Sequence, residues 1–301
     1  MKVVVAGGTG LIGSSICKAL VANSCSVFVL SRSGKGPVGT TGVAWDGVTV
    51  GPWVSALDEA HAVINLVGER IAQRWTADAQ RRIIDSRVRS TLAIGEAIET
   101  VPNKPKVWIN GSAIGYYGYG LSEAFDEASP LGRGFLPEVC RQWEDATRNA
   151  HVPDVRRVFL RTGHVLSTQD GLLPPLLNIT RKFLGGAAGN GKQYMSWIHI
   201  NDLTQMTVWA MNNPNIEGPL NGTAPVPVTN GEFMAGLRRA CHRPWCPPAP
   251  AFMFSLLEPL TGVEPELILR GQRVLPLKSE HGGFQFQFRT LELALNDLIR
   301  A

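Results

Sequence analysis

The run Val3-Val4-Val5-Ala6-Gly7-Gly8-Thr9-Gly10-Leu11-Ile12-Gly13, continued by residues 14–22, sets the architecture of this 301-residue chain. A β-branched strand runs into a glycine-rich turn, then into a segment whose Ile16, Leu20 and Val21 suit a helix packed on a sheet. Glycine is needed where the turn is tight, where the backbone must approach a pyrophosphate, and where helix and strand pack closely. The helix start adds free N–H groups and the positive end of its dipole. Gly7, Thr9, Gly10, Leu11, Ile12 and Gly13 are therefore the expected contacts of a dinucleotide. The competing reading is a purely structural glycine turn.

Further short β-branched runs at residues 27–30, 43–45, 62–67, 106–110 and 157–160 alternate with helix-like segments or loops. Continuous apolar strands of this kind are buried on both faces, which predicts a parallel sheet covered by helices. The fold class is α/β, a Rossmann-type doubly wound sheet with a smaller C-terminal substrate-side region and a short helical C-terminal module. At the end of the second strand, where an NAD site places Asp or Glu for the ribose 2′-hydroxyl, stands Ser31-Arg32-Ser33. A guanidinium with neighbouring hydroxyls can hydrogen-bond a 2′-phosphate that a carboxylate would repel, so NADP is the expected cofactor. The alternative for Arg32 is a solvated loop residue.

Composition narrows the field. Hydrophobic residues make up 44% and charged residues 18%, which excludes a disordered chain. Twenty-nine basic against 25 acidic side chains give +4 without a basic run, too little for a nucleic-acid footprint. No apolar stretch reaches the roughly 18 residues of a membrane span. The five cysteines are odd in number and lack a Cys-x-x-Cys, which fits a reducing compartment, and a cytoplasmic location is expected. Cys241, His242 and Cys246 lie close together but lack further ligands, so no metal site is expected.

Residues 1–167 are read as the NADP-binding domain, 168–247 as a substrate-side region interleaved with the sheet, and 248–301 as the C-terminal module. The helical pattern over 76–100 places Ile83, Ile84, Val88, Thr91, Leu92 and Gly95 on one face, with Arg87 beside it. Arg87 must either snorkel to water or meet an anion, and the largest anion nearby is the cofactor. Thr229-Asn230-Gly231-Glu232 has the spacing of a capping box opening a helix over 233–240. The prolines of 241–250 mark a linker, and helices are expected at 252–257 and 290–299.

These residues resemble the extended short-chain dehydrogenase/reductases, in the atypical branch of epimerase-family proteins. The resemblance spans essentially the whole chain. Besides residues 7–13 it rests on Asn65-Leu66-Val67-Gly68-Glu69, Gly111-Ser112-Ala113-Ile114-Gly115-Tyr116-Tyr117-Gly118 and Trp143-Glu144. It rests further on Arg161-Thr162-Gly163-His164-Val165-Leu166, Ser196-Trp197-Ile198-His199-Ile200-Asn201-Asp202-Leu203 and Gly271-Gln272-Arg273-Val274. It implies that Leu66, Val67 and Gly68 line the cofactor, that Arg87 reaches it from the following helix, and that Val165 touches it from the sixth strand.

Hydride-transferring relatives use a Tyr-x-x-x-Lys pair in which the Lys lowers the phenol's pKa. The corresponding helix here, Leu136-Pro137-Glu138-Val139-Cys140-Arg141-Gln142-Trp143-Glu144, has neither. Ser112 stands near the place of the usual hydroxyl partner, or it simply forms a turn. Tyr116 and Tyr117 can supply the missing phenol, or pack as rings in a glycine-rich loop. Glu69 is either an acid/base or the start of a solvated loop, and His199 either orients substrate or is structural. The expectation is an NADP(H)-dependent oxidoreductase or epimerase acting on a small, in one reading sugar-like, substrate, with oligomeric state open. The rival is a non-catalytic NADP-binding regulatory or redox-sensing protein, for which a link to cell division is one reading of the branch.

Overall fold

The computed structural model describes residues 1–120 and 123–300. The chain runs β1 (Lys2–Ala6), α1 (Leu11–Ala22), β2 (Ser26–Ser31), β3 (Thr41–Ala44), β4 (Ala62–Asn65), α2 (Ala77–Thr100), β5 (Val107–Ala113) and α3 (Phe135–Arg148). It continues through β6 (Arg156–Thr162), α4 (Leu173–Arg181), α5 (Ile200–Asn212), β7 (Gly218–Gly222), α6 (Asn230–Ala240) and α7 (Ala251–Thr261). The seven strands form one sheet in the order β7-β6-β5-β4-β1-β2-β3, every neighbouring pair parallel. This is the doubly wound order expected from the first strand, turn and helix.

Alternation along β1 builds the core on both faces. Val3 and Val5 join Ile16, Leu20, Met206 and Ala210, residues of α1 and α5. Val4 and Ala6 join Ile94, Ile98 and Trp108 on the α2 side. A third cluster, outside the sheet, packs Leu173 and Leu177 of α4 with Phe233 and Leu237 of α6 and with Ala294 and Leu295. Among the described residues no helix is long and apolar enough to cross a membrane.

The expected capping box is present, with Thr229 and Glu232 satisfying each other's backbone N–H groups at the start of α6. Two expectations need correction. The strand expected over 62–67 stops at Asn65, because the Asn65 Oδ1 accepts the Val67 N–H at 3.1 Å and turns the backbone out of the sheet. On α2, Leu92 is 51% exposed rather than part of the buried stripe. It lies one residue, hence about 100°, beyond buried Thr91, and Ile94, Ala97 and Ile98 cover the sheet instead.

A buried ionic network joins the strand ends. Arg161 on β6 donates through Nε and Nη2 to the two Glu144 carboxylate oxygens at 2.8 and 3.0 Å, and both side chains are almost wholly buried. The Ser112 hydroxyl donates to Glu144 Oε1 at 2.8 Å, and Arg148 donates to Oε2. Arg161 Nη1 also donates to the Tyr117 hydroxyl, which donates to Asn221 Oδ1 at 2.6 Å on β7. Beyond β7 the chain returns to this end of the sheet. Residues Arg273–Val274 pair in parallel with Ala124–Phe125, and the Ser196 hydroxyl ties Gln272 and Val274.

Removing one partner of a buried ion pair leaves an uncompensated charge and costs about 3–5 kcal/mol. Glu144→Ala is therefore expected to lower unfolding stability by about that amount, read from urea denaturation, whereas Glu138→Ala on the exposed face of α3 should cost well under 1 kcal/mol.

Candidate functional site

The sheet order reverses between β1 and β4, and the residues leaving the strand ends on either side of that point form the site. Gly7 has φ +78°, and a Cβ there would lie 3.0 Å from the Leu66 carbonyl. A Cβ on Gly13 would stand 2.3 Å from the Gly7 oxygen, so α1 approaches the loop as closely as backbone permits. Gly10 is the N-cap of α1, with no side-chain cap and no acidic residue in the first turn. The N–H groups at the helix start are thus left unneutralised for an anion.

On one side of this loop, Arg32, Trp45, Trp53, Asp46 and Thr49 line an open cleft of about 510 Å³. Arg32 is exposed and has no hydrogen bond or ion pair among the described residues. The Asp46 oxygens are taken by the Val48 and Thr49 N–H groups and the Thr49 hydroxyl, bonds that hold its carboxyl below the usual range. The Ser31 hydroxyl donates to the Lys35 carbonyl at 2.6 Å, so it braces the loop that carries Arg32.

On the other side, Leu66 N–H donates to Ala6, and Val67 and Gly68 lead away from β4. Gly68 is overlaid by Arg87, whose guanidinium carbon would sit 2.9 Å from a Cβ at that position. Arg87 Nη1 donates to the Ile83 carbonyl, and its plane lies 5.0 Å from the Trp143 ring. Burial draws its pKa down to about 10, and no carboxylate bonds it among the described residues. Val165, like Ile12 and Leu66, packs against the hydrophobic cluster that β1, α1 and α5 share. The loop and the β4 exit thus meet at Gly7 and Leu66, with Arg87 over Gly68 beside them.

A second cleft, of about 210 Å³, opens beyond Arg87 among the ends of β5 and β6, α3 and the C-terminal module. Leu136 and Cys140, one helical turn apart, both line it. Val139 and Trp143 line it with the same spacing, so the face that α3 turns to the cleft carries neither a phenol nor an amine. The Cys140 thiol faces the Ala113 carbonyl at 3.5 Å, and burial pushes its pKa up to about 12. Ser112, Tyr116 and Tyr117 are not among the lining residues. Ser112 and Tyr117 are bound into the Glu144–Arg161 network, and burial raises the Tyr117 phenol to about 12. Tyr116 lays its ring 3.4 Å from the Arg161 guanidinium carbon.

Glu69 accepts from Gln73 and Arg82, bonds that help to hold its pKa low. His199 is buried, caps α5 by accepting the Asn201 N–H, and places Nε2 3.3 Å from Asp297. His164, Tyr119, Arg270 and Gln272 do line the cleft and were missed by the sequence reading. Burial alone drops His164 to about 4, so its imidazole is neutral at pH 7. One signal was available: Gly271, beside Arg270 and Gln272, could carry no Cβ, since the Tyr194 carbonyl oxygen lies 2.1 Å from that place.

Comparison with known proteins agrees with this geometry. The profile of the NAD dependent epimerase/dehydratase family matches residues 3–136, and that of a domain of unknown function, DUF1731, matches residues 249–298. The chain is 35% identical to the Arabidopsis thaliana chloroplastic homolog of epimerase family protein SDR39U1, over 100% of this chain and 87% of the relative. It is also 35% identical to epimerase family protein YfhF of Bacillus subtilis, over 99% and 98% of the two chains. The crystal structure of human epimerase family protein SDR39U1 with NADPH superposes with a TM-score of 0.89 at 31% identity, covering 100% and 99%. Strand order, glycine loop and full-length similarity together show that the chain belongs to the epimerase family, as an atypical short-chain dehydrogenase/reductase.

Proposed function

We propose that the protein binds NADP(H) across the switch point and acts as an oxidoreductase or epimerase on a small substrate held in the 210 Å³ cleft. The observation that carries this reading is the pairing of an uncapped α1 start with an unpaired Arg32 at the end of β2. The first suits a pyrophosphate and the second a 2′-phosphate. The human relative solved with NADPH supports it. Loop residues Gly7, Thr9, Gly10, Leu11, Ile12 and Gly13 would hold the pyrophosphate, Arg32 and Ser31 the 2′-phosphate end, and Leu66, Val67, Gly68, Arg87 and Val165 the nicotinamide end. The group supplies a hydride donor or acceptor when bound.

The proton that accompanies a hydride needs a group facing the cleft. We assign Ser112 and Tyr117 to the support beneath the cleft, because their hydroxyls are committed to Glu144, Arg161 and Asn221. Tyr116 covers Arg161. The groups that face the cleft are His164, neutral and able to donate or accept one proton, and Tyr119, whose phenol is raised by burial and the nearby Glu266 carboxylate. The second reading, a non-catalytic NADP-binding regulator, draws on the absence of Tyr and Lys from the face of α3 that lines the cleft. Five cysteines, none in a disulfide, suit a reducing compartment such as the cytoplasm.

Arg32→Ala is expected to weaken NADPH binding by about tenfold or more, since it removes a charge-assisted contact, while NADH affinity stays nearly unchanged. Calorimetric titration with both cofactors measures this, and equal losses would refute the 2′-phosphate assignment. A second expectation concerns His164. The unfolded chain takes up its proton near pH 6.5 and the folded chain only near 4. Stability is therefore lost as pH falls from about 6.5 towards 4, the window in which the unfolded state binds more protons. His164→Gln should flatten the fall of Tm across that window relative to the parent, and identical slopes would show that the imidazole titrates normally.

A further inference from the structure

The walls of the 210 Å³ cleft carry two arginines and, among the described residues, no carboxylate. Arg87 comes from α2 and Arg270 from the C-terminal module. The Arg87 guanidinium is partly buried, lies over the Trp143 ring with its carbon 5.0 Å from the ring centre, and uses one N–H group on a backbone carbonyl. Glu69 acts on it only through space, with no carboxylate hydrogen-bonded to it among the described residues, and a partly desolvated cation of this kind is completed by a ligand anion. Arg270 is exposed, lies 6.0 Å from the Tyr119 ring, and makes no ion pair among the described residues. The neighbouring acids form no ion pair with either arginine among the described residues. Glu69 is engaged by Gln73 and Arg82, while Glu266 sits beside Tyr119.

The rest of the lining is mostly apolar, with Ile71, Ile114, Leu136, Val139 and Leu267. The Trp143 Nε1 is buried with no hydrogen-bond partner. A volume of 210 Å³ is below the roughly 300–1,000 Å³ of sites for drug-sized ligands. The apolar share of the walls suits an alkyl chain, while Tyr119, Thr162, His164 and Gln272 offer few partners for the many hydroxyls of a nucleotide sugar.

We infer that the cleft binds a small carboxylate with an apolar body, its anionic end drawn by Arg87 and Arg270, and that it rejects nucleotide sugars. The inference rests on the reading of this cleft as the substrate site. It gives the C-terminal module a role, because Arg270, Leu267 and Gln272 would then help to select the substrate.

Calorimetry on the full chain, alone and with NADP⁺ present, tests it with three probes: 4-methyl-2-oxopentanoate, the neutral 5-methylhexan-2-one, and UDP-glucose. The oxoacid is expected to bind about tenfold or more tighter than the ketone, as a charged hydrogen-bond partner commands. Arg270→Ala should remove most of that preference, Arg270→Lys should restore part of it, and NADPH affinity should stay the same in both. Equal binding of oxoacid and ketone, or preferred binding of UDP-glucose, would overturn the inference. A separate titration with NADPH keeps the two readings apart. Binding of the oxoacid with dependence on Arg270 in a chain that fails to bind NADPH would support the carboxylate site and overturn the cofactor assignment.

Discussion

The bidentate pair between Arg161 and Glu144 is the constraint on which the site depends. It lies almost wholly out of water, so its geometry has to be kept: each oxygen or N–H group without a partner there would cost free energy. Glu144 receives Arg161, Ser112 and Arg148, and Arg161 extends the chain of bonds through Tyr117 to Asn221. Through these contacts α3, β5, β6, β7 and the turn carrying Tyr116 and Tyr117 share one arrangement. The cleft borders the same strand ends and helix, and so inherits its shape from charges that do not line it.

Much of the architecture was legible in the sequence for local reasons. A β-branched run alternates its side chains across a sheet, and residues 3–6 do so onto two cores. Gly13 and Gly7 announce close backbone contact, because only glycine tolerates the approach found there. Thr229 and Glu232 are a short-range pattern whose hydrogen bonds involve only near neighbours. Errors arose where the outcome depended on more than the local pattern. Leu92 looked buried from approximate spacing but falls on the solvent side of α2. The 62–67 run was cut short by an asparagine side chain bonding its own backbone.

The site divides in the same way. The phosphate site proposed above draws on backbone N–H groups and one exposed cation within the first 32 residues, so a reading of motifs reaches it. The cleft is assembled from α2, α3, two strand ends and a segment near residue 270, which nothing local connects. Ser112, Tyr116 and Tyr117 drew attention as hydroxyls near a strand end, yet sequence gives no sign that a glutamate 32 residues from Ser112 and an arginine beyond it occupy them. Conversely, His164 and Tyr119 looked unremarkable because their significance lies in which side of the strand ends they face.

The return of residues 267–274 to the sheet's carboxyl end has a consequence for the order of events during synthesis. The glycine loop and its strands are contained in the first half of the chain and can form while the remainder is still being made. The cleft has no such independence. Its last wall arrives only when the segment paired with Ala124–Phe125 has emerged. A nascent chain therefore has all the residues of its glycine loop well before those of its second cleft, whose last wall is supplied by the segment near residue 270.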